Sequence, residues 1–274
     1  MTESALQTAI SPCAAANGKR KTMAVCTYGA VTDKGDRRPE NQDSILCLTD
    51  REIKSGLFLV ADGMGGLSRG GQVSRYIAER FARWWREDFP DIIRSGQIRR
   101  EDMREFLEQE IWDINQELLC FRRQDGCRCG STLSLLLIHE GHYYIENMGD
   151  SRIYLFCRGK LQQLTEDQSL AAQLKREGQL TGQERSAVGK NVLTMCLGMF
   201  EIPQSYFRDG DLEGEERFLL CSDGLYNQVS AAQMARILNR RELLPQELAG
   251  ILRSSVLPGM AADNISIIVA EILG

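Results

Sequence analysis

LFLVADGMGG, residues 57 to 66, is an apolar run that stops abruptly on an aspartate and turns on three glycines. Bounded in this way it reads as a buried strand. RFLLCSDGLYN, residues 217 to 227, repeats the arrangement far downstream. Asp-Gly is by itself a common turn dipeptide. A carboxylate at the mouth of a buried strand, however, raises the free energy of the fold unless it is paired, solvated or bound to a cation. Its repetition asks for a common cause.

The other aspartates extend the pattern. Asp62 and Asp223 terminate strand-like runs, Asp43 and Asp263 directly precede them (QDSILCL, DNISIIV), and Asp150 stands in the turn NMGDSR between two more. Five carboxylates thus fall at strand ends and none at a strand centre. If those ends meet on one rim they form an oxygen-rich cage, and carboxylate and carbonyl oxygens without imidazole or thiolate favour Mg²⁺ or Mn²⁺. Gly63 lacks a side chain, so its carbonyl could approach an ion closely. Arg38, five residues before Asp43 in RPENQD, is suited to bidentate recognition of phosphate oxygens, whereas the neighbouring Arg37 reads as a solvated loop residue. A metal pair beside an arginine describes a phosphoester hydrolase.

Around these points the chain alternates between strands and helices in blocks. MAVCTYGAVT, SILCL, GLFLVA, FLLCS and NISIIVAEI are strand-like, and the stretch from Ser131 to Leu164 reads as a meander of three or four strands. Val73, Ile77, Phe81 and Trp84 recur on one helical face, as do Met103, Leu107, Ile111, Ile114, Leu118 and Phe121. Shorter helices are expected at SLAAQLKREG, closed by Gly178, at SAAQMARILNR, capped by Ser230, and at PQELAGILRSSV, with Pro245 in its first turn. The fold class is α+β, with helices outside stacked sheets. Residues 1–22 are small and polar and read as a flexible tail; 23–274 reads as a single domain.

Composition closes off other classes. A net charge of −5 with interspersed signs argues against a nucleic-acid binder. No apolar run is long enough for a membrane helix. Nine irregularly spaced cysteines read as reduced residues of a cytoplasmic protein, Cys47 and Cys221 as small hydrophobes within strands, and Cys127-x-Cys129 as packing rather than zinc. The two histidines, His139 and His142, fall in a hairpin without H-E-x-x-H spacing. Nucleophile-elbow, Walker, dinucleotide and cysteine-phosphatase signatures are absent.

RPENQDS, LFLVADGMGG, GSTLSLLLI, NMGDSRIYL, LTEDQSL, VLTMCLG, FLLCSDGL and DNISIIV resemble, in the same order, the successive motifs of the metal-dependent type-2C serine/threonine protein phosphatases in their compact bacterial form. The resemblance implies a four-layer α-β-β-α sandwich, two stacked antiparallel sheets flanked by helix pairs, with the metal site at one end. It implies that Asp62 bridges two Mn²⁺ or Mg²⁺ ions, that Gly63 offers its carbonyl, and that Asp43, Asp223 and Asp263 complete the cage, partly through water. Asp150 with Asp223 would hold a third, weaker ion. Arg38 would clamp the substrate phosphate, and residues 170–191 would form a variable flap. The reaction so implied is direct attack of a metal-bridging hydroxide on phosphoserine or phosphothreonine in proteins, opposing a Ser/Thr kinase, by a chain that is a monomer by default. Several positions depart from the family. Met64 and Leu67 stand where many relatives have histidine, Met195 where arginine is frequent, Gln168 where histidine is frequent, and the flap lacks the usual His-Pro. These leave open a second reading, a catalytically weak pseudophosphatase that binds phosphoproteins.

Overall fold

The computed structural model describes residues 24–65, 69–95, 99–126, 128–179 and 192–273. The tail, Leu67, Cys127 and the later part of the expected flap lie outside these residues. In chain order the elements are β1 (Ala24–Asp33), β2 (Asp43–Asp50), β3 (Ser55–Met64), α1 (Arg69–Glu87), α2 (Phe89–Arg94), α3 (Asp102–Asp125), β4 (Gly130–Ser131), β5 (Leu133–His139), β6 (His142–Met148), β7 (Arg152–Cys157) and β8 (Lys160–Gln163). There follow α4 (Leu170–Arg176), β9 (Tyr206–Asp211), β10 (Arg217–Cys221), α5 (Asp223–Tyr226), α6 (Ala231–Leu238), α7 (Pro245–Ser254) and β11 (Ile265–Leu273).

The strands make two antiparallel sheets. One runs β1-β11-β10-β7-β8, and the other β2-β3-β5-β6-β9 with β4 paired to β3. Because strand side chains alternate, each central strand feeds two cores. Phe58 and Val60 of β3, Phe218 and Leu220 of β10, and Ile268, Ala270 and Ile272 of β11 fill the space between the sheets. Leu57, Leu59 and Ala61 face outward onto α1, α2 and α3, and Leu219, Ile267 and Val269 face outward onto α5, α6 and α7. The expected α-β-β-α layering is observed. Strands buried on both faces explain why these runs read as continuously apolar.

The expected meander is corrected. Its first hairpin, β5-β6, belongs to one sheet, and its second, β7-β8, belongs to the other. The chain changes sheets at the turn carrying Asp150. Strand β3 also runs two residues past Asp62, because Gly63 and Met64 pair with Ser131 and Gly130. Phe121 lies off the buried stripe of α3: it is 53% exposed and meets Tyr76 edge-on at 5.9 Å. The predicted caps are present, Ser230 forming a reciprocal capping box with Gln233 and Pro245 opening α7. None of the described cysteines is in a disulfide, and among the described residues no helix is long and apolar enough to cross a membrane.

Arg217 on β10 and Glu146 on β6 are ionisable groups buried within the sheets. Arg217 pairs with Glu271 at 2.7 Å and donates to the carbonyls of Leu238, Arg240 and Leu243, which ties the end of α6 to the sheet. Glu146 on β6 is fully buried and neither of its oxygens has a hydrogen-bond partner. Burial pushes its carboxyl up to about 8, the nearby Ser205 hydroxyl offsetting this only in part. The folded protein therefore keeps this proton after the unfolded chain has released it. Stability from the neutral form is complete below the ordinary glutamate range and declines as pH rises to 8. Relative to wild type under the same metal conditions, Glu146→Gln should gain melting temperature as pH goes from 5 to 8, by roughly 10 °C. A difference that stays flat across that window would show that Glu146 is not held neutral.

Candidate metal centre

At one end of the sandwich the space between the sheets turns from apolar to polar, and strand alternation dictates which residues arrive there. Asp62 continues the inward row of Phe58 and Val60. Asp43, its direct cross-strand partner on β2, continues the row of Ile45 and Cys47. From the opposite sheet come Ser222, two residues after Leu220, and Ser266, two before Ile268. The two serines are fully buried. Ser222 Oγ donates to Asp43 Oδ2 at 2.8 Å and accepts from Ser266 N at 2.9 Å. Ser266 Oγ lies 2.9 Å from Thr32 Oγ1, which accepts from Asn41 Nδ2. A layer of hydroxyls thus separates the hydrocarbon core from the carboxylates.

Asp223 opens α5 immediately after Ser222, and its Oδ2 accepts from Asn227. Asp263 precedes β11 and pairs with Arg38 at 2.7 Å. Arg38 is itself 55% exposed on its side chain, so its guanidinium stands at the solvent edge of the site. The loop that carries it is anchored by Asn264, which donates to the carbonyls of Lys34 and Glu40 and accepts from Gln42 N. Asp36 adds a second anchor by accepting from the amides of Gly259 and Ala261.

The electrostatics follow from this crowding. Burial raises the Asp62 carboxyl well above the usual range, and Asp43, Asp223, Asp150 and Asp263 each raise it further. Asp43 and Asp223 are raised for the same first reason, burial, with neighbouring carboxylates adding to it. Asp150 is pushed up to about 7 by burial and by Asp223. Among the described residues, no three acidic, imidazole or thiol groups close on one point as a ready chelate; the carboxylates ring the mouth, and like charges disfavour closer approach. Asp43 and Asp223 share a further feature. In each, Oδ2 is tied down, while the buried Oδ1 has no hydrogen-bond partner. Two orphaned anionic oxygens in an all-oxygen setting fit a hard divalent cation.

Gly63 has a steric reason beyond its carbonyl. A Cβ there would lie 2.2 Å from Gly70 O and 2.6 Å from Gln42 O. The start of α1 packs directly on β3, and only glycine admits it. Met64 meets Cys196, sulfur to sulfur, at 3.9 Å, and Met195 packs on the helix-side core. Gln168 bonds to the turn before Asp150. His139 and His142 pair across the β5-β6 hairpin, and Ser55, opposite His139, begins β3. Asp62, seven residues along that strand, is therefore about 23 Å from the histidine end. The supporting residues Ser222, Ser266 and Thr132 lie inside the quoted motifs but were not singled out there. Their signal was the even spacing that puts them in line with inward-facing core residues.

A family model described as protein phosphatase 2C matches residues 36–253. The protein phosphatase PhpP of Streptococcus pneumoniae is 30% identical over 239 residues, covering 86% of this chain and 94% of that one. The solved serine/threonine phosphatase of S. agalactiae has a TM-score of 0.77 and 27% identity, covering 90% of this chain and 99% of its own. The catalytic domain of the serine/threonine protein phosphatase PstP, solved in complex with two manganese ions, has a TM-score of 0.75 at 24% identity, covering 91% and 99%; that likeness concerns the fold. A match that spans most of the chain, from the loop of Arg38 to the end of α7, makes this protein a member of the protein phosphatase 2C family of metal-dependent serine/threonine phosphatases.

Proposed function

We propose that the chain hydrolyses phosphoserine and phosphothreonine in proteins at a centre holding two Mn²⁺ or Mg²⁺ ions, with a third, weaker one between Asp150 and Asp223. In this reading Asp62, Asp43, Asp223, Asp263 and the Gly63 carbonyl would hold the two tighter ions. The observation that carries the reading is the pair of orphaned Oδ1 atoms on Asp43 and Asp223, on opposite sheets at the same mouth. When bound, the ions would supply a water nucleophile at neutral pH and neutralise charge on the phosphoryl group.

The remaining work falls to side chains of this chain. Arg38 exchanges its partner Asp263 for the phosphate, which it grips in two places and orients for in-line displacement. Ser222 and Ser266 keep Asp43 turned toward the mouth. No described imidazole stands near the site, so the departing serine or threonine oxygen takes its proton from water. The substrates are phosphorylated proteins, the chain opposes a Ser/Thr kinase, and it acts in the cytoplasm as a monomer.

Phosphate release from an aryl phosphate and from a phosphothreonine peptide should require Mn²⁺ and stop with chelator. Asp223→Asn should lose about a hundredfold or more in turnover while its circular dichroism stays that of wild type. Full activity in chelator would sink the metal reading, and a folded protein inactive with Mn²⁺ would favour the phosphoprotein-binding alternative. Because the carboxylates repel until a cation joins them, saturating Mn²⁺ should raise the melting temperature by about 5 °C or more. No shift, read by calorimetry, would count against a formed cage.

A further inference from the structure

The turn Gly149–Asp150–Ser151, where the chain crosses from one sheet to the other, is fastened on three sides. Toward β3, Ser151 Oγ lies 2.8 Å from Thr132 Oγ1, and Thr132 bonds both the amide and the carbonyl of Asp62, at 2.9 Å each. Toward the root of α4, Gln168 accepts from Gly149 N through its side chain at 3.1 Å and donates its own amide to Gly149 O at 2.8 Å. Gln168 Nε2 continues to Gln204 O at 2.9 Å. Toward α5, Tyr226 Oη donates to Asp150 O at 3.0 Å.

The third fastening has a particular consequence. Tyr226 is the last residue of the helical turn that Asp223 begins. One phenol therefore sets the separation between the backbone bearing Asp150 and the backbone bearing Asp223, whose carboxylate raises the proton affinity of Asp150. The ring is held in turn. The Arg152 guanidinium stacks over it at 3.6 Å, gripped on its edge by both oxygens of Asp167, at 2.9 and 2.6 Å, and donating to Tyr154 Oη at 3.0 Å. A ring clamped by a cation whose own orientation is fixed keeps its hydroxyl pointed at one carbonyl.

We propose that Tyr226 is the positioning residue of the Asp150–Asp223 pair, and that with Arg152 above it the latch sets the affinity of the weakest of the three ions. The latch opposes the mutual repulsion of the two carboxylates, so the gap between them is fixed before a cation enters. The proposal rests on the reading of Asp150 and Asp223 as ion-holding groups, and its test separates the two.

Bound Mn²⁺ is counted by the loss of the aqueous Mn²⁺ resonance in electron paramagnetic spectra of wild type, Asp150→Asn, Tyr226→Phe and Arg152→Lys. Asp150→Asn marks which class of sites belongs to the pair. Tyr226→Phe keeps the ring and removes only the donor. It should weaken that same class by about tenfold, the scale on which outer partners tune ligands, and leave the tighter class at wild-type affinity. Arg152→Lys keeps the charge but loses the planar stack and fork, and should shift the same class in the same direction. A Tyr226→Phe curve superimposable on wild type would overturn the latch, as would parallel weakening of both classes. If Asp150→Asn changes no class, the assignment of the pair fails first, and the latch with it.

Discussion

Like charges brought together out of water govern this fold. Asp43, Asp62, Asp150, Asp223 and Asp263 reach one mouth from both sheets, and the burial that stabilises the rest of the sandwich raises the free energy of the first four. An isolated buried carboxylate would be expelled or neutralised. Here the backbone leaves no such exit, because each aspartate lies in or beside a strand locked into a ladder by its neighbours. The architecture thus sustains a local electrostatic cost with hydrocarbon packing elsewhere, a pattern characteristic of functional sites. The family to which the chain belongs gives that cost its use.

The transition from core to site is graded. Below the carboxylates lies a layer of small hydroxyl residues, Thr32, Thr132, Ser151, Ser222 and Ser266, that bond to one another and to the aspartates. Hydroxyls suit this layer because each both donates and accepts. They satisfy backbone amides on the core side and fix carboxylate oxygens on the other, with too little bulk to separate the sheets. Among the buried carboxylate oxygens of the described aspartates, one on Asp43 and one on Asp223 remain without a hydrogen-bond partner. Under the proposed function, selective satisfaction would aim a ligand: the tied oxygen sets the rotamer and leaves the other free for a cation.

Much of this was legible in the residues themselves. Period-two patterning inside LFLVA and FLLC cannot be seen when both faces are buried, yet the Asp-Gly stop marks where each strand leaves the core. Capping at Ser230 and Pro245 is local chemistry and was readable as such. The assignment of strands to sheets was not. Nothing in NMGDSR says that the chain changes sheets there, since a hairpin and a crossover use the same turn residues. Strand β9, YFRDGD, is an edge strand rich in charge, which defends an edge but erases the apolar signal. Glu146 inside HYYIENM and Arg217 at the head of FLLC look like ordinary polar positions; only tertiary packing buries them. Tyr226 follows SDGL with no signal of its own, and its hydroxyl bonds a carbonyl 76 positions away.

That dependence on distant partners extends to the whole site. Arg38 and Asp263 meet across 225 positions of chain, Ser222 and Asp43 across 179. An unfolded chain cannot present these groups to one ion, so cation binding at the proposed centre would act almost entirely on the folded state and add directly to its stability. The reverse also holds. Contacts that fix strand ends, such as Asn264 with the Arg38 loop or Thr132 with Asp62, would raise ion affinity without touching an ion, because they lower what the ion must spend on gathering its ligands. Folding and cation capture would then be linked equilibria, each raising the other.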